Sequence, residues 1–355
     1  MTNDKSKQID EFNRKYARIV AGAYDDAQDI RKSMANRVRD LIRKKNEDIP
    51  FDEKEEKKEE KSFDKKYKDD NLPDLIEQMR EEGKLTKREF QYLAKMLDTQ
   101  AKAKEVENHY KRMMDVVKED PLYTTWLKNV MGVSTVLTAR LLNVFGYCER
   151  FDRVSNMWSY AGMTPNSKRK KGEKLSFSPK AKGLGWVVAD CIMKCGSKSL
   201  YRTKFFDPYK DEQLEKMEMV EDRKTEVKQI VEVTKFDENN GTKRFLKEQY
   251  DGDLEQLKSD DEVSVNIVPA TIDIETKEIL FTGTAPKSRG HAHNRAMRYL
   301  AKKFLKHYWA ISRSLLDLET PDEYIIAYGG HSKRTDTFEN PFYAKDVLRE
   351  RAESD

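Results

Sequence analysis

The chain has 355 residues, 37% of them hydrophobic and 37% charged, and a net charge of +4. This length leaves room for two domains, and the absence of any run of about 18 apolar residues excludes a membrane-spanning helix. The N-terminal residues lack the apolar core of a secretory signal, and the three cysteines form no Cys-x-x-Cys pair. We therefore expect a cytoplasmic protein with no membrane partner and no metal or other cofactor of its own.

Basic and acidic residues are segregated along the chain. Residues 151–210 contain thirteen Lys and Arg against four Asp and Glu, and residues 287–313 contain eight basic residues and no acidic ones. Residues 211–262, between these blocks, contain seventeen acidic and nine basic residues. Because phosphates are neutralised locally, two basic blocks favour a surface that binds polyanions. The alternative is that both blocks are solvated Lys-rich faces, and composition alone does not decide between the two.

The first 48 residues are predicted to form one long amphipathic helix. Apolar residues recur at alternating spacings of three and four, and no proline interrupts the series before Pro50. The predicted apolar stripe consists of Ile9, Phe12, Tyr16, Ile19, Ala23, Ala27, Ile30, Met34, Val38 and Leu41. Residues 52–70 are almost wholly charged with both signs mixed, so we expect a solvated linker over residues 49–71.

A second long helix is predicted to begin at Thr86, because Thr86 and Glu89 have the spacing of a capping box. Its apolar stripe consists of Phe90, Leu93, Leu97, Ala101, Tyr110, Met113 and Val117. Two such helices form an antiparallel hairpin or a coiled coil with another chain. The two stripes exceed what one hairpin hides, so we expect a homodimer through residues 1–118.

The composition changes near residue 120, where we place the boundary between the long-helix region, 1–120, and a second domain, 121–330. Residues 211–262 indicate an insertion of charged helix and loop. Val263–Gly283 alternates β-branched and polar residues around a turn, which predicts a small β-hairpin. A helix is predicted over 291–318 and a polar tail over 331–355. The expected fold class is mainly α, with coiled-coil-like N-terminal helices followed by a helical domain that contains the hairpin. The inward-facing residues of the last helix are expected to be Met297, Leu300, Phe304 and Ile311.

Leu127–Leu142 has the pattern of a helix-hairpin-helix, with an apolar helix end, a Gly-apolar-small turn and a second helix. The turn at Gly132 would direct backbone N–H groups outward at the start of a helix, beside Ser134 and Thr135. Such groups bind a phosphate without reading sequence. A plain helical hairpin is the alternative, since serine occupies the position of the usual second glycine.

A spaced aromatic and glycine motif begins at Phe151. It is followed by a basic loop, by the pair Lys182-Gly183 and by a basic helix, Gly290–Trp309, while the helix-hairpin-helix pattern precedes it. In this order the features resemble the C-terminal domain of the bridge-RNA-guided insertion-sequence transposases, the IS-one-ten family, over residues 121–210 and 285–330. The resemblance implies a protein that binds DNA, with structured RNA as a second ligand, and that acts in or derives from transposition and recombination. The motif residues are Phe151, Trp158, Tyr160, Gly162, Met163 and Pro165.

Two parts of the family pattern have no match. The resemblance implies a nucleophilic serine in the loop after the proline, but the matching positions hold Arg169-Lys170-Lys171-Gly172. Ser167 is the nearest substitute, with cations beside it but no evident base. The family's RuvC-like domain, whose carboxylates hold metal, has no counterpart in residues 1–120, so Mg²⁺ enters only if a partner supplies its site. The sequence leaves catalytic activity open.

We expect residues 165–183 and 289–306 to form one phosphate-binding surface. Three functions fit: a transposase acting by serine attack, a nucleic-acid-binding protein that kept the scaffold without its chemistry, and a coiled-coil assembly protein. The expected nucleic-acid contacts are Gly132, Ser134, Thr135, Lys168, Arg169, Lys170, Lys171, Lys174, Lys180, Lys182, Arg289, His291, His293, Arg295, Arg298 and Lys302.

Overall fold

The computed structural model describes residues 3–46, 69–164, 167, 172–237, 241–247 and 263–321. Within these ranges the protein is mainly helical, with one antiparallel sheet, and the chain divides into two units, Met1–Lys118 and Glu119–Asp355. No helix in these ranges is long and apolar enough to cross a membrane. The predicted tail, 331–355, and the predicted linker as far as residue 68 lie outside the described residues.

The first unit contains the helices α1 (Asn3–Asn46), α2 (Leu72–Glu81) and α3 (Lys87–Met113). The predicted long helix and the predicted capping box are both confirmed. The Glu89 N–H donates to Thr86 Oγ1 at 3.3 Å, and the Thr86 N–H donates to the Glu89 carboxylate at 2.9 Å. The ion pairs Arg31–Glu107 and Lys45–Glu89 show that α1 and α3 run antiparallel.

The apolar stripe predicted for α1 is confirmed at Ala27 and Val38, which are buried, and is wrong at three other positions. Its members Ile19, Ile30 and Leu41 are 71%, 48% and 41% exposed. Small alanine side chains let a neighbouring helix approach closely, and the seam of buried alanines extends beyond the predicted Ala27 to Ala17, Ala21 and Ala35. The helix α2, which the sequence did not predict, packs on the end of this seam. The buried face of α1 consists of Ala17, Val20, Ala21, Tyr24, Ala27, Ala35, Val38 and Ile42.

The second unit is built around its last helix. Its helices are α4 (Pro121–Thr125), α5 (Thr135–Phe145), α6 (Val154–Tyr160), α7 (Pro179–Lys194), α8 (Asp207–Glu221) and α9 (Arg289–Ser314). The helix α9 packs against α6, α7 and α8, and the prediction of its inward-facing residues is confirmed, since all four are buried. Buried indoles attach it to the motif segment: Trp309 Nε1 donates to the Phe151 carbonyl at 2.7 Å, and Trp158 Nε1 donates to the Lys302 carbonyl at 3.2 Å.

A four-stranded antiparallel sheet lies between α8 and α9 in the chain. Its strands are β1 (Thr225–Asp237), β2 (Gly241–Lys247), β3 (Val263–Asp273) and β4 (Ile279–Thr282), in the order β2-β1-β3-β4. The central pair runs from Thr225 opposite Asp273 to Lys235 opposite Val263. The expectation of charged helix and loop over 211–262 is therefore wrong for β1 and β2. Six of the ten residues 225–234 are β-branched, and this strand preference prevails over the charged residues among them.

Candidate nucleic-acid interface

A pocket of about 480 Å³ lies between the N-terminal parts of α7 and α9. We call it the α7–α9 groove. No Asp or Glu is among the described residues at its wall, and Lys182, Arg295 and Arg298 give this wall a positive charge. The described residues that line it are Gly162, Met163, Lys182, Gly183, Trp186, His291, Asn294, Arg295, Arg298 and Ala301.

Helical periodicity explains why these residues share one groove. On α9 the lining positions 291, 294, 295 and 298 follow the spacing i, i+3, i+4, i+7, which places them on one face. Both helices begin at a capping serine: Ser178 Oγ accepts from the Ala181 N–H, and Ser288 Oγ accepts from the His291 N–H. The structure thus brings Lys182 of the first basic block beside Arg295 and Arg298 of the second.

The two groove arginines differ in their partners. Arg295 Nη1 donates to the Thr284 carbonyl at 2.6 Å and to Gln213 Oε1 at 3.0 Å, and Arg295 Nη2 donates to Thr284 Oγ1 at 3.2 Å. Arg295 therefore fastens the connection between β4 and α9 to α8. Arg298 is exposed and has no hydrogen-bond or ion-pair partner among the described residues. Its guanidinium keeps its donors for an external anion.

His291 adds no positive charge to the groove at neutral pH. Partial burial and the nearby charges of Arg295 and Lys287 lower the pKa of His291 below its ordinary value of 6.5. Its Nδ1 accepts a hydrogen bond from the Lys287 N–H at 3.2 Å. The imidazole therefore supports the start of α9, and the groove's charge comes from the lysine and the arginines.

Two of the expected lysine contacts lie over aromatic rings. Lys182 Nζ is 4.6 Å from the centre of the Phe177 ring, and Lys302 Nζ is 4.1 Å from the centre of the Trp158 ring. Such cation–π contacts orient an ammonium group at the surface without neutralising it. Lys182 lies in the groove, whereas Lys302 is not among its lining residues.

Sequence reasoning missed Trp186 and Asn294. Trp186 is 43% exposed, whereas the other three tryptophans of the chain, Trp126, Trp158 and Trp309, are at most 8% exposed. The available signal was spacing: Trp186 follows Lys182 by four residues, and Asn294 precedes Arg298 by four. Each of the two therefore shares a helix face with a predicted basic contact.

The predicted helix-hairpin-helix is not formed as expected. The segment before the turn consists of the five-residue α4 and a single 3-10 turn, Leu127–Asn129, in place of a full helix. Gly132 has φ +94°, and a Cβ there would lie 2.8 Å from the Cys191 backbone of α7, so close packing requires this glycine. Cys191 is eight residues from Gly183, about 12 Å along α7. The turn with Ser134 and Thr135 is thus separate from the groove.

Other expected contacts are distributed around the groove or lie elsewhere. His293 is not among the groove's lining residues, because its ring packs edge-on against Phe206, 5.3 Å between centres, on another side of α9. Lys174, Lys180 and Arg289 are exposed and are not among the groove's lining residues. The expected contacts Lys168, Arg169, Lys170 and Lys171 lie outside the described residues, as does Pro165 of the motif.

Ser167, the nearest substitute for a nucleophile, is half-buried, and its Oγ lies 2.7 Å from Thr164 Oγ1. A neighbouring hydroxyl is not a base that could take the serine proton. In the part of the chain that the structure describes, no group of three or more His, Cys, Asp or Glu side chains is placed to hold a metal ion.

No protein-family model, no curated protein and no solved structure matches this chain.

Proposed function

We propose that the second unit binds nucleic acid through the α7–α9 groove. The observation that carries this proposal is the pairing of Arg298 with the exposed indole of Trp186 in one groove. Among the described residues Arg298 has no hydrogen-bond or ion-pair partner, and the described part of the groove wall contains no Asp or Glu. Cations that follow a phosphate backbone and aromatic faces that receive bases are the two components of general nucleic-acid binding. The ligand is DNA, with structured RNA as the second candidate.

The biological setting follows from the resemblance to the C-terminal domain of insertion-sequence transposases. We infer a cytoplasmic protein that acts in, or derives from, DNA transposition. We favour a nucleic-acid-binding protein without transposase activity. A serine nucleophile needs a base beside it, and Ser167 has the Thr164 hydroxyl there instead. A catalytic version requires a partner that supplies the carboxylates and Mg²⁺.

The test is the salt dependence of binding by the full chain. Each phosphate neutralised on duplex DNA contributes about 0.9 to the slope of log K against log salt. The double variant Lys182→Gln/Arg298→Gln should therefore flatten this slope by about two units, whatever the DNA sequence. The matched control is Lys198→Gln, an exposed lysine past the C-terminal end of α7. Equal slopes for the double variant and the wild type would refute the proposal.

We also propose that the first unit forms a homodimer through the exposed face of α1. Ile19, Ile30 and Leu41 are spaced by eleven residues, or three turns, which aligns them along the helix. Large apolar side chains in a row on a charged helix favour a second helix as partner. This dimer proposal does not depend on the proposal that the α7–α9 groove binds nucleic acid.

Light scattering of the full chain tests the dimer. We expect a dimer for the wild type at micromolar concentration and a monomer for the triple variant Ile19→Ser/Ile30→Ser/Leu41→Ser. Tyr92→Ser, which removes a 52% exposed aromatic from α3, is the control that should remain dimeric. A monomeric wild type, or a triple variant that still dimerises, would rule the interface out.

A further inference from the structure

We propose that the α7–α9 groove accepts an unpaired nucleobase of a single-stranded polynucleotide, stacked on Trp186, with the adjoining phosphate held by Arg298. This inference rests on the proposed function and narrows it from nucleic acid in general to a single strand. It draws on the exposed indole, on the space beside it and on the polar groups facing it.

The indole of Trp186 is open to a ligand. It is 43% exposed in a unit whose other tryptophans pack into the core or donate to backbone carbonyls. Every base has a π face, so one exposed indole receives any of them and contributes about tenfold or more to affinity. In a duplex both faces of each base are covered by its neighbours, so this contact is open to single strands and to flipped bases.

Gly183 leaves space on the same face of α7, one turn before Trp186. A Cβ added at this glycine would meet no heavy atom within 4 Å, so packing does not require it. Glycine inside a helix is disfavoured relative to alanine. Helical side chains lean toward the preceding turn, so the Trp186 indole reaches toward the turn that contains Gly183. A flat ring therefore has both a stacking surface and free room there.

The polar groups of the groove suit a nucleotide. Arg298 offers a planar guanidinium to a phosphate, and Lys182 adds a second cation. Asn294, exposed on the α9 side of the groove, carries a donor and an acceptor that can pair with the edge of a base. An acidic ligand without a base, such as a phosphopeptide, would use the cations but leave the indole and the space beside it unoccupied.

The experiment compares single strands that differ in their bases alone. The full chain is titrated with oligo(dT) of about twelve nucleotides, with an abasic strand of the same length, and with a duplex of that length. We expect oligo(dT) to bind about tenfold tighter than the abasic strand and to quench tryptophan fluorescence, since Trp186 is the exposed indole. Oligo(U) of equal length then identifies the preferred strand as RNA or DNA, and either supports the inference provided that the bases are required.

Variants of Trp186 test whether the difference in affinity between oligo(dT) and the abasic strand arises in the groove. Trp186→Ala should bring oligo(dT) down to the affinity of the abasic strand, while Trp186→Phe should retain binding without the quenching. Leu200→Ala, at a 39% exposed apolar residue past the end of α7, is the control and should leave both unchanged.

Gly183→Ala tests whether Gly183 leaves space for a ligand or is needed for the fold. It should raise the melting temperature, because alanine favours a helix, and weaken oligo(dT) binding several-fold by filling the space beside Trp186. Gly22→Ala in α1, whose Cβ also meets nothing within 4 Å, should raise stability without any effect on binding.

The failures of the inference and of the proposed function are distinguishable. Equal affinity for oligo(dT), the abasic strand and the duplex would overturn the unpaired-base inference, as would Gly183→Ala binding oligo(dT) as well as the wild type does. If the bases proved unnecessary but Lys182→Gln/Arg298→Gln still lowered the affinity for all three ligands, the groove would remain a phosphate-binding site. If the protein bound none of the three ligands, both the unpaired-base inference and the proposed function would be overturned.

Discussion

The two halves of α9 use the same residue types in opposite ways. Arg298, in the N-terminal half, is exposed and has no partner among the described residues, whereas Arg313, in the C-terminal half, is 6% exposed. Arg313 Nε donates to the Glu319 carbonyl at 2.7 Å, and its Nη1 donates to the Phe151 carbonyl at 3.1 Å and the Cys148 carbonyl at 3.4 Å. Charge counting treats the two arginines alike. Their hydrogen bonds show that one belongs to the fold and the other is available to a ligand.

The histidines of α9 repeat this contrast. His291 lies in the groove wall, while His307 is buried, and its Nδ1 is 2.6 Å from the hydroxyl of the buried Tyr201. Burial, reinforced by the charges of Lys306 and Lys303, lowers the pKa of His307 to about 3. A basic helix of this kind is thus a core element along half its length and a binding surface along the other half.

At neutral pH, the largest expected effect on stability is that of replacing the buried Arg313. Arg313→Met should lower the free energy of unfolding of the second unit by about 3 kcal/mol, because the carbonyls it serves lose a charged donor. Urea denaturation followed by tryptophan fluorescence measures this, since all four tryptophans lie in that unit. A loss below about 1 kcal/mol would show that the carbonyls find other donors and would remove the contrast with Arg298.

The next effect is a pH dependence from His307. Its pKa is about 3 in the folded protein against 6.5 ordinarily, so below pH 6.5 the unfolded chain binds a proton that the folded chain does not. Stability should therefore fall as the pH drops from 6.5 towards 3, by up to about 1.4 kcal/mol per pH unit from this residue. The non-titrating variant His307→Asn, which keeps a polar atom for Tyr201, should lack this component. Parallel pH profiles for the two proteins would contradict the assignment.

An intermediate effect is expected at Arg295, whose side chain is half-buried. Arg295→Met should destabilise the second unit by about 1 kcal/mol, because the bonds to Thr284 and Gln213 are lost but water replaces part of them. The same urea experiment measures it. Arg295→Lys should recover little, since one ammonium does not reproduce the planar set of donors. Full recovery by lysine would indicate that charge alone matters at this position.

How far the sequence predicts this molecule depends on which contacts decide each feature. The long helices α1, α3 and α9 were predicted because periodicity and caps are local properties. The buried face of α1 was predicted only in part, since the neighbouring helix determines which alanines are buried. The strands β1 and β2 were not predicted, and in β1 the charged residues concealed a β-branched pattern. The residues that pair with a strand, or that pack against an alanine face, are far away in the chain.

The candidate site was also predicted only in part. Basic density predicted that Lys182, Arg295 and Arg298 belong to one surface, and these three residues line one groove. The sequence did not distinguish Arg295 from Arg298, because the two residues that accept from the Arg295 Nη atoms, Thr284 and Gln213, are 11 and 82 residues away. It did not identify Trp186 either, since an aromatic residue on a helix usually belongs to a core.

The smallest effect on the fold is the most informative one for function. Arg298→Met should change the free energy of unfolding by no more than about 0.5 kcal/mol, because no internal bond among the described residues is lost. The same variant should weaken duplex DNA binding and reduce the salt slope by about 0.9, the contribution of one phosphate. Arg313→Met, assayed where it remains folded, should leave that slope unchanged, since its guanidinium is turned to carbonyls in the core. If Arg298→Met instead lowered the free energy of unfolding by more than about 1 kcal/mol, Arg298 would have an internal role like that of Arg295 and would not be available to a phosphate. An unchanged salt slope in a stably folded Arg298→Met would place the phosphate contacts elsewhere on the protein.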